Sequence, residues 1–236
     1  LRFGRHGRLR GLQRGVLLPE TAQVLIPGEE RQGHGQPQRD GAERVEQRDA
    51  LAQNQRGNGE NLHAHLGMTL MRGLADDLPL MQWLEQHIWP AEQQVVSERF
   101  VRDSALLGCA EMLAGGVTCV NDMYFYPQAT VEATLQAGIR ANLGLVVLEF
   151  PTNYANSADD YIEKGLNHRD EWRGQSLISA SFAPHAPYTV SDNTFEKIVT
   201  YAEQLSLGIH THLHESSGEI SQSLEQYGLR PIRRLS

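Results

Sequence analysis

The sequence predicts an α/β fold of parallel strands covered by helices, on three observations. Strand-like and helix-like stretches alternate for about five units between residues 61 and 236, each unit within the length of a right-handed βαβ crossover. No Gly-x-Gly-x-x-Gly opens the first helix, which removes the main support for an open dinucleotide-binding sheet. Residues able to do chemistry fall at or just past the carboxyl ends of the predicted strands, and in a barrel those ends share one rim. A partial (β/α)8 barrel with about five of its eight βα units is therefore the expected architecture.

The chain divides near residue 60. Of its 236 residues, the first sixty hold no lysine and few aromatics but many Arg, Gln and Gly; only Val16–Leu18 and Val24–Ile26 could be short strands. Such a stretch buries too little apolar surface to offset its ordering entropy, so residues 1–60 are expected to be disordered or to come from the wrong reading frame. Residues 61–236 are expected to form the incomplete barrel. The formal net charge is −8 with the acidic excess after residue 60, which argues against a nucleic-acid partner. Two cysteines, Cys109 and Cys119, make no disulfide framework and read as packing residues. Nothing resembles a signal peptide or a membrane span, so a cytoplasmic location with no membrane partner is expected.

Taken in order, Leu62–Leu66 is the first strand. A helix over Ser97–Ala114 places Phe100, Val101, Ala105, Leu106, Cys109 and Leu113 on one stripe, and Gly115-Gly116 stops it. Val117–Asn121, apolar on both faces, suits a buried parallel strand. A helix at 129–137, a strand at 142–148, a helix at 158–171 and a strand at 177–182 follow. Ser191 is a good N-cap for a helix whose Phe195, Ile198, Val199, Ala202 and Leu205 share a face. A strand at 208–213 and a helix at 218–227 close the pattern.

His63 and His65 would point the same way from an extended strand, about 6–7 Å apart at the backbone, so both rings can converge on one metal ion. Zinc accepts neutral imidazoles, though two solvated histidines would read the same. His210, His212 and His214 alternate in the fifth strand and would share a face if it stays regular through Glu215; a metal needs one of them. Glu215, three past His212, is close enough to move protons to and from a metal-bound water without being a ligand. His185, in Ala183-Pro-His-Ala-Pro-Tyr-Thr-Val-Ser191, sits between two prolines that would hold it rigidly, as a substrate contact or a simple turn histidine.

Several motifs in order, Asn61-x-His-x-His-x-x-Met-Thr-Leu-x-Arg-Gly-x-Ala-x-Asp77, Trp89-Pro-Ala-Glu92, Asp122-Met-Tyr-Phe125, Pro184-His-x-Pro-Tyr-Thr-Val-Ser191 and His212-x-His-Glu-Ser216, resemble the amidohydrolase superfamily. Within it the text is most similar to 5'-methylthioadenosine/S-adenosylhomocysteine deaminases, with triazine hydrolases as neighbours. The resemblance implies that His63, His65 and His212 bind one zinc, with iron or manganese also compatible with imidazole. It implies Glu215 as proton shuttle, and Glu92 and His185 as contacts to a nucleoside, Glu92 through ribose hydroxyls. It assigns Asp122, Met123, Tyr124 and Phe125 no chemical role, and core packing is expected of them.

What the resemblance implies is a zinc-dependent hydrolytic deaminase of adenine nucleosides, acting on a C–N bond other than a peptide bond. Its partners would be small molecules, and assembly into homo-oligomers is left open. The alternatives are an amidohydrolase acting on another aminated or halogenated heterocycle, or a non-catalytic product of a damaged gene. The family's lead into the first histidine, part of a small β-sandwich, is replaced here by Asn54–Glu60. A histidine after a sixth strand and an aspartate ligand after an eighth are not found before Ser236. The expectation drawn from these departures is a truncated chain with little or no activity.

Overall fold

The computed structural model describes residues 59–236, so the expectations of disorder and of short strands at Val16–Leu18 and Val24–Ile26 lie outside the described residues. Five strands form one parallel sheet in the order β1-β2-β3-β4-β5: β1 Gly59–Ala64, β2 Val117–Met123, β3 Arg140–Val147, β4 Ile178–Pro184 and β5 Gly208–Ile209. Helices α1 Trp89–Val95, α2 Glu98–Ala114, α3 Pro127–Ala137, α4 Ala158–Glu171, α5 Asp192–Leu205 and α6 Ser217–Tyr227 alternate with them. The result is a half-barrel of βα units, as the alternation predicts.

The helix starts follow local chemistry. Ser97, Ser157, Ser191 and Ser216 sit in extended conformation and each accepts from the amide three residues on, filling one of the donors a helix start leaves open. Gly138 and Gly228 end α3 and α6 in the left-handed region where glycine carries no Cβ penalty.

The core lies between helices and the convex face of the sheet, where Leu143, Leu145 and Val147 of β3 are buried. On α2 the expected Val101, Ala105 and Cys109 are buried and Phe100 and Leu106 pack against the core. Ser104 and Gly108 are buried as well, and the helix passes close to the 3-10 turn Leu66–Met71, since a Cβ at Gly108 would lie 2.8 Å from both Leu66 and Thr69. Leu113, expected inside, falls on the flank and stays 39% exposed, as does Val199 of α5 at 43%. Cys109 is a packing thiol, its pKa pushed up to about 11 by burial and then by Asp122.

Two strands differ from expectation. β1 begins at Gly59, so the fold extends two residues into the segment read as unstructured, and His65 lies just past its end. β5 pairs over Gly208–Ile209 only, instead of Gly208–Leu213. The reason is Pro184: His210 N–H still donates to Phe182 O (2.8 Å), but Pro184 has no amide hydrogen to return to β5, and the ladder stops.

The concave face is polar below the rim. Asn142 donates through Nδ2 to Asn121 Oδ1 and Ser181 Oγ, both at 2.8 Å, and accepts from Ser179 Oγ at 3.0 Å. Gly144 sits among them with no room to spare, since a Cβ there would lie 2.7 Å from Ala183 Cβ and 2.9 Å from the Asp122 carbonyl. Gly144→Ala is expected to destabilise the fold by about 1–3 kcal/mol, read as a lower urea midpoint; an unchanged midpoint would contradict the close approach of β2, β3 and β4.

Candidate metal centre

His63 from β1, His65 just past it and His212 beyond β5 bring their Nε2 atoms together. His63 is 3.2 Å from His65 and 3.1 Å from His212, and His65 and His212 are 3.3 Å apart. Four ligands at about 2.0–2.1 Å from a tetrahedral zinc lie about 3.3 Å from one another, so the three nitrogens already trace three corners of that figure. The outward nitrogens fix which ring atom carries the proton. His65 Nδ1 faces Met123 O and His212 Nδ1 faces His185 O at 2.9 Å, so both Nδ1 atoms donate and both Nε2 atoms keep a free lone pair. The donor set fits a metal ion, and among the described residues these three form such a group.

Burial keeps the cluster neutral. It pushes His63 down to about 3, with His65, His212 and His210 adding repulsion, and His65 down to about 4 with help from His212. His210 falls to about 4 and His185 well below its ordinary value, both chiefly through burial. His212 is lowered by burial and partly restored by the His185 carbonyl.

The expected regular face of His210, His212 and His214 holds for two residues. His210 Nε2 approaches His63 Nδ1 at 2.8 Å. His214 has φ +60°, which breaks the strand, and its Nε2 accepts from Ile232 N–H instead. The same break carries Glu215 to the lining of a cavity of about 280 Å³ that also touches His65, His185 and His212. Tyr188 O–H donates to Glu215 Oε2 at 2.7 Å, and buried Glu219 accepts the amides of His214 and Glu215. His185 follows Pro184, its Nδ1 paired with Thr189 Oγ1 at 2.9 Å.

Glu92 lines the same cavity, on a helical segment at 80–95 that periodicity does not reveal. That segment widens into a π-helical turn at Leu84–Ile88, where Trp89 N–H reaches back five residues to Leu84 O. Pro90 explains it, because a proline within a helix has no amide to give and crowds the carbonyl four residues back. Trp83, Trp89 and Phe150 make the wall there apolar. Tyr124 O–H donates to Glu92 at 2.7 Å, and burial raises the Glu92 pKa against that bond.

Asp122–Phe125 are buried, as packing residues should be, yet three of the four also do polar work that the sequence reading missed. Asp122 Oδ1 accepts from Leu66 N–H at 2.6 Å, tethering the backbone just after His65; Met123 O fixes the His65 ring and Tyr124 holds Glu92. Burial pushes Asp122 up to about 7, opposed by the Leu66 and Met123 amides.

The model of the Amidohydrolase family matches residues 60–234. The chain belongs to the amidohydrolase family. It is 49% identical over 176 residues to a 5-methylthioadenosine/S-adenosylhomocysteine deaminase of Saccharophagus degradans, covering 75% of this chain and 40% of that one. A crystal structure of an adenosine deaminase from Xanthomonas campestris with bound zinc superposes with a TM-score of 0.73 at 49% identity, covering 75% of this chain and 40% of that one. Atrazine chlorohydrolase from Arthrobacter aurescens, complexed with zinc, gives 0.68 at 21% identity over 75% of this chain and 45% of that one, a likeness of fold alone. This amidohydrolase chain thus spans about 40% of the length of the curated relatives it matches. Among its described residues no helix is long and apolar enough to cross a membrane.

The lowered histidines set a pH dependence. In the unfolded chain they protonate below about pH 6.5, whereas in the fold His63, His65 and His210 stay neutral to about 3–4. The unfolded state therefore binds more protons within that window, so their contribution is complete above about pH 6.5 and is lost as pH falls toward 4. Asp122 and Glu92, both raised, act in the opposite direction, two carboxyls against five imidazoles. In the presence of a chelator, the urea midpoint is expected to fall as pH is lowered from about 6.5 to about 4; a flat profile would show that the imidazoles are not buried together.

Proposed function

We propose that this chain carries the metal-binding and proton-transfer part of a hydrolytic deaminase site for adenine nucleosides of the 5'-methylthioadenosine/S-adenosylhomocysteine type. The observation that carries the reading is the placement of Glu215 in the cavity wall beside three imidazoles whose Nε2 atoms converge. The 49% identity to a relative bearing that name supports the substrate class.

His63, His65 and His212 would hold zinc, which when bound makes a water acidic enough to ionise near neutrality. Glu215, oriented by Tyr188, takes a proton from the attacking water and returns it to the departing amine. The water oxygen bonds to the purine carbon bearing the amino group, the C–N bond breaks and ammonia leaves. His185 has its Nδ1 occupied by Thr189, which leaves Nε2 for the purine. Glu92, in the same cavity, offers a carboxylate to sugar hydroxyls, and the wall of Trp83, Trp89 and Phe150 takes an apolar substituent on the sugar.

The test is zinc content together with ammonia release from 5'-methylthioadenosine. One zinc per chain is expected, lost in His212→Ala. Glu215→Gln is expected to keep the metal and lower ammonia release by about 100-fold or more. Full release by Glu215→Gln would remove it as the proton carrier. Chloride from a chlorinated triazine in place of ammonia would overturn the substrate class, and bound zinc with neither product would leave a metal-binding chain without catalysis.

A further inference from the structure

We infer that His210 is the positioning residue that holds His63 in the one ring tautomer able to bind a metal. The inference rests on His63, His65 and His212 being the metal ligands.

Each of these three rings presents Nε2 to the centre, so each must carry its proton on Nδ1. For His65 and His212 that proton goes to a backbone carbonyl, of Met123 and His185, and no side-chain replacement removes such an acceptor. His63 differs. Its Nδ1 lies 2.8 Å from His210 Nε2, with the two rings at 75° and their centroids 4.9 Å apart.

A neutral imidazole has one N–H, and the His63–His210 pair therefore has two arrangements. In the first, His63 Nδ1–H donates to His210 Nε2, His63 Nε2 is bare, and the His210 proton sits on its own Nδ1. In the second, His210 Nε2–H donates to His63 Nδ1, and the His63 proton moves to Nε2, aimed at His65 and His212 where a metal would be. Only the first admits the ion.

The structure records what the first arrangement costs. His210 is 94% buried, its backbone is tied to β4 through Phe182 O, and its Nδ1 is a buried nitrogen without a hydrogen-bond partner among the described residues. An unpaired buried N–H opposes that tautomer. A metal ion opposes the second more strongly, since it cannot share Nε2 with a proton. His210 thus couples the protonation pattern of the pair to occupancy of the centre. His168, on α4, pairs with Glu171 instead and serves as the control.

The experiment uses the full 236-residue chain and zinc alone, with affinity measured by competition against a chelator. His210→Leu fills the space without an acceptor, and zinc affinity should fall by about 10- to 100-fold, the usual effect of losing an outer partner of a ligand. His210→Gln places an amide carbonyl near the lost Nε2 and should recover most of that affinity, while His168→Ala should leave it unchanged. Equal affinity in the Leu and Gln variants would overturn the inference. Ring nitrogen-15 spectra of the zinc-loaded parent need no variant: both His63 and His210 should be protonated at Nδ1. A His210 protonated at Nε2 would overturn the inference even if the Leu variant fails to fold. A parent chain that takes up no zinc would overturn the metal-centre reading itself, and this inference with it.

Discussion

The arrangement depends on bringing the two ends of a five-stranded sheet within reach of one point. β1 and β5 are the first and last strands in the sheet order, yet His63 Nε2 and His212 Nε2 lie 3.1 Å apart across 149 residues. A flat parallel sheet of five strands would separate its edges by about 19 Å, four spacings of about 4.8 Å. Only a sheet curled in the manner of a barrel lets its first and last rim residues reach a common point. The curl and the centre are consequently one constraint, because side chains that must meet over the concave face forbid the sheet from opening.

That meeting has a cost which the surrounding residues are arranged to bear. Neutral imidazole nitrogens with their lone pairs turned toward one another gain nothing without an ion between them, and burial removes the option of protonation. The compensation lies in bonds that point outward. Met123 O, His185 O and His210 Nε2 each engage one ligand ring, and Asp122 holds the Leu66 amide beside them. All these partners sit on or just past strand ends, so the register of β2 and β4 that positions the backbone also orients the rings.

Much of this was legible in the sequence, and the failures share a cause. Alternating apolar runs revealed the parallel strands and helices, and α4 over Ala158–Glu171 has the limits expected of it, its start capped by Ser157. The spacing of His63 and His65 marked two of the residues whose nitrogens converge, and the family resemblance singled out His212 among the three alternating histidines of the fifth strand. What periodicity missed depends on backbone exceptions. Pro184 silences the β5 ladder, Pro90 opens a π-turn in a segment with no clean helical stripe, and Tyr126, at φ +52°, starts α3 two residues earlier than its apolar pattern implies. The polar duties of Asp122 and Tyr124 were invisible for another reason. A buried strand residue and its distant partner, Leu66 or Glu92, have no shared local pattern in one chain.

The break at His214 shows why such an exception is worth its strain. In a regular strand, residues three apart face opposite sides, so Glu215 would point into the helical layer while His212 points at the centre. A non-glycine residue with φ +60° is uncommon, and here it rotates the chain so that both side chains reach the same cavity. The strained turn is held from two directions. The Glu219 carboxylate accepts the amides of His214 and Glu215, while Tyr188 binds the Glu215 carboxylate itself. Glu219 belongs to the first turn of α6, whose cap is Ser216, so the helix start and the strand break form one unit. The proton-carrying role proposed for Glu215 would need a fixed offset from the neighbouring histidine. The three-residue step, with its single left-handed residue, supplies that offset.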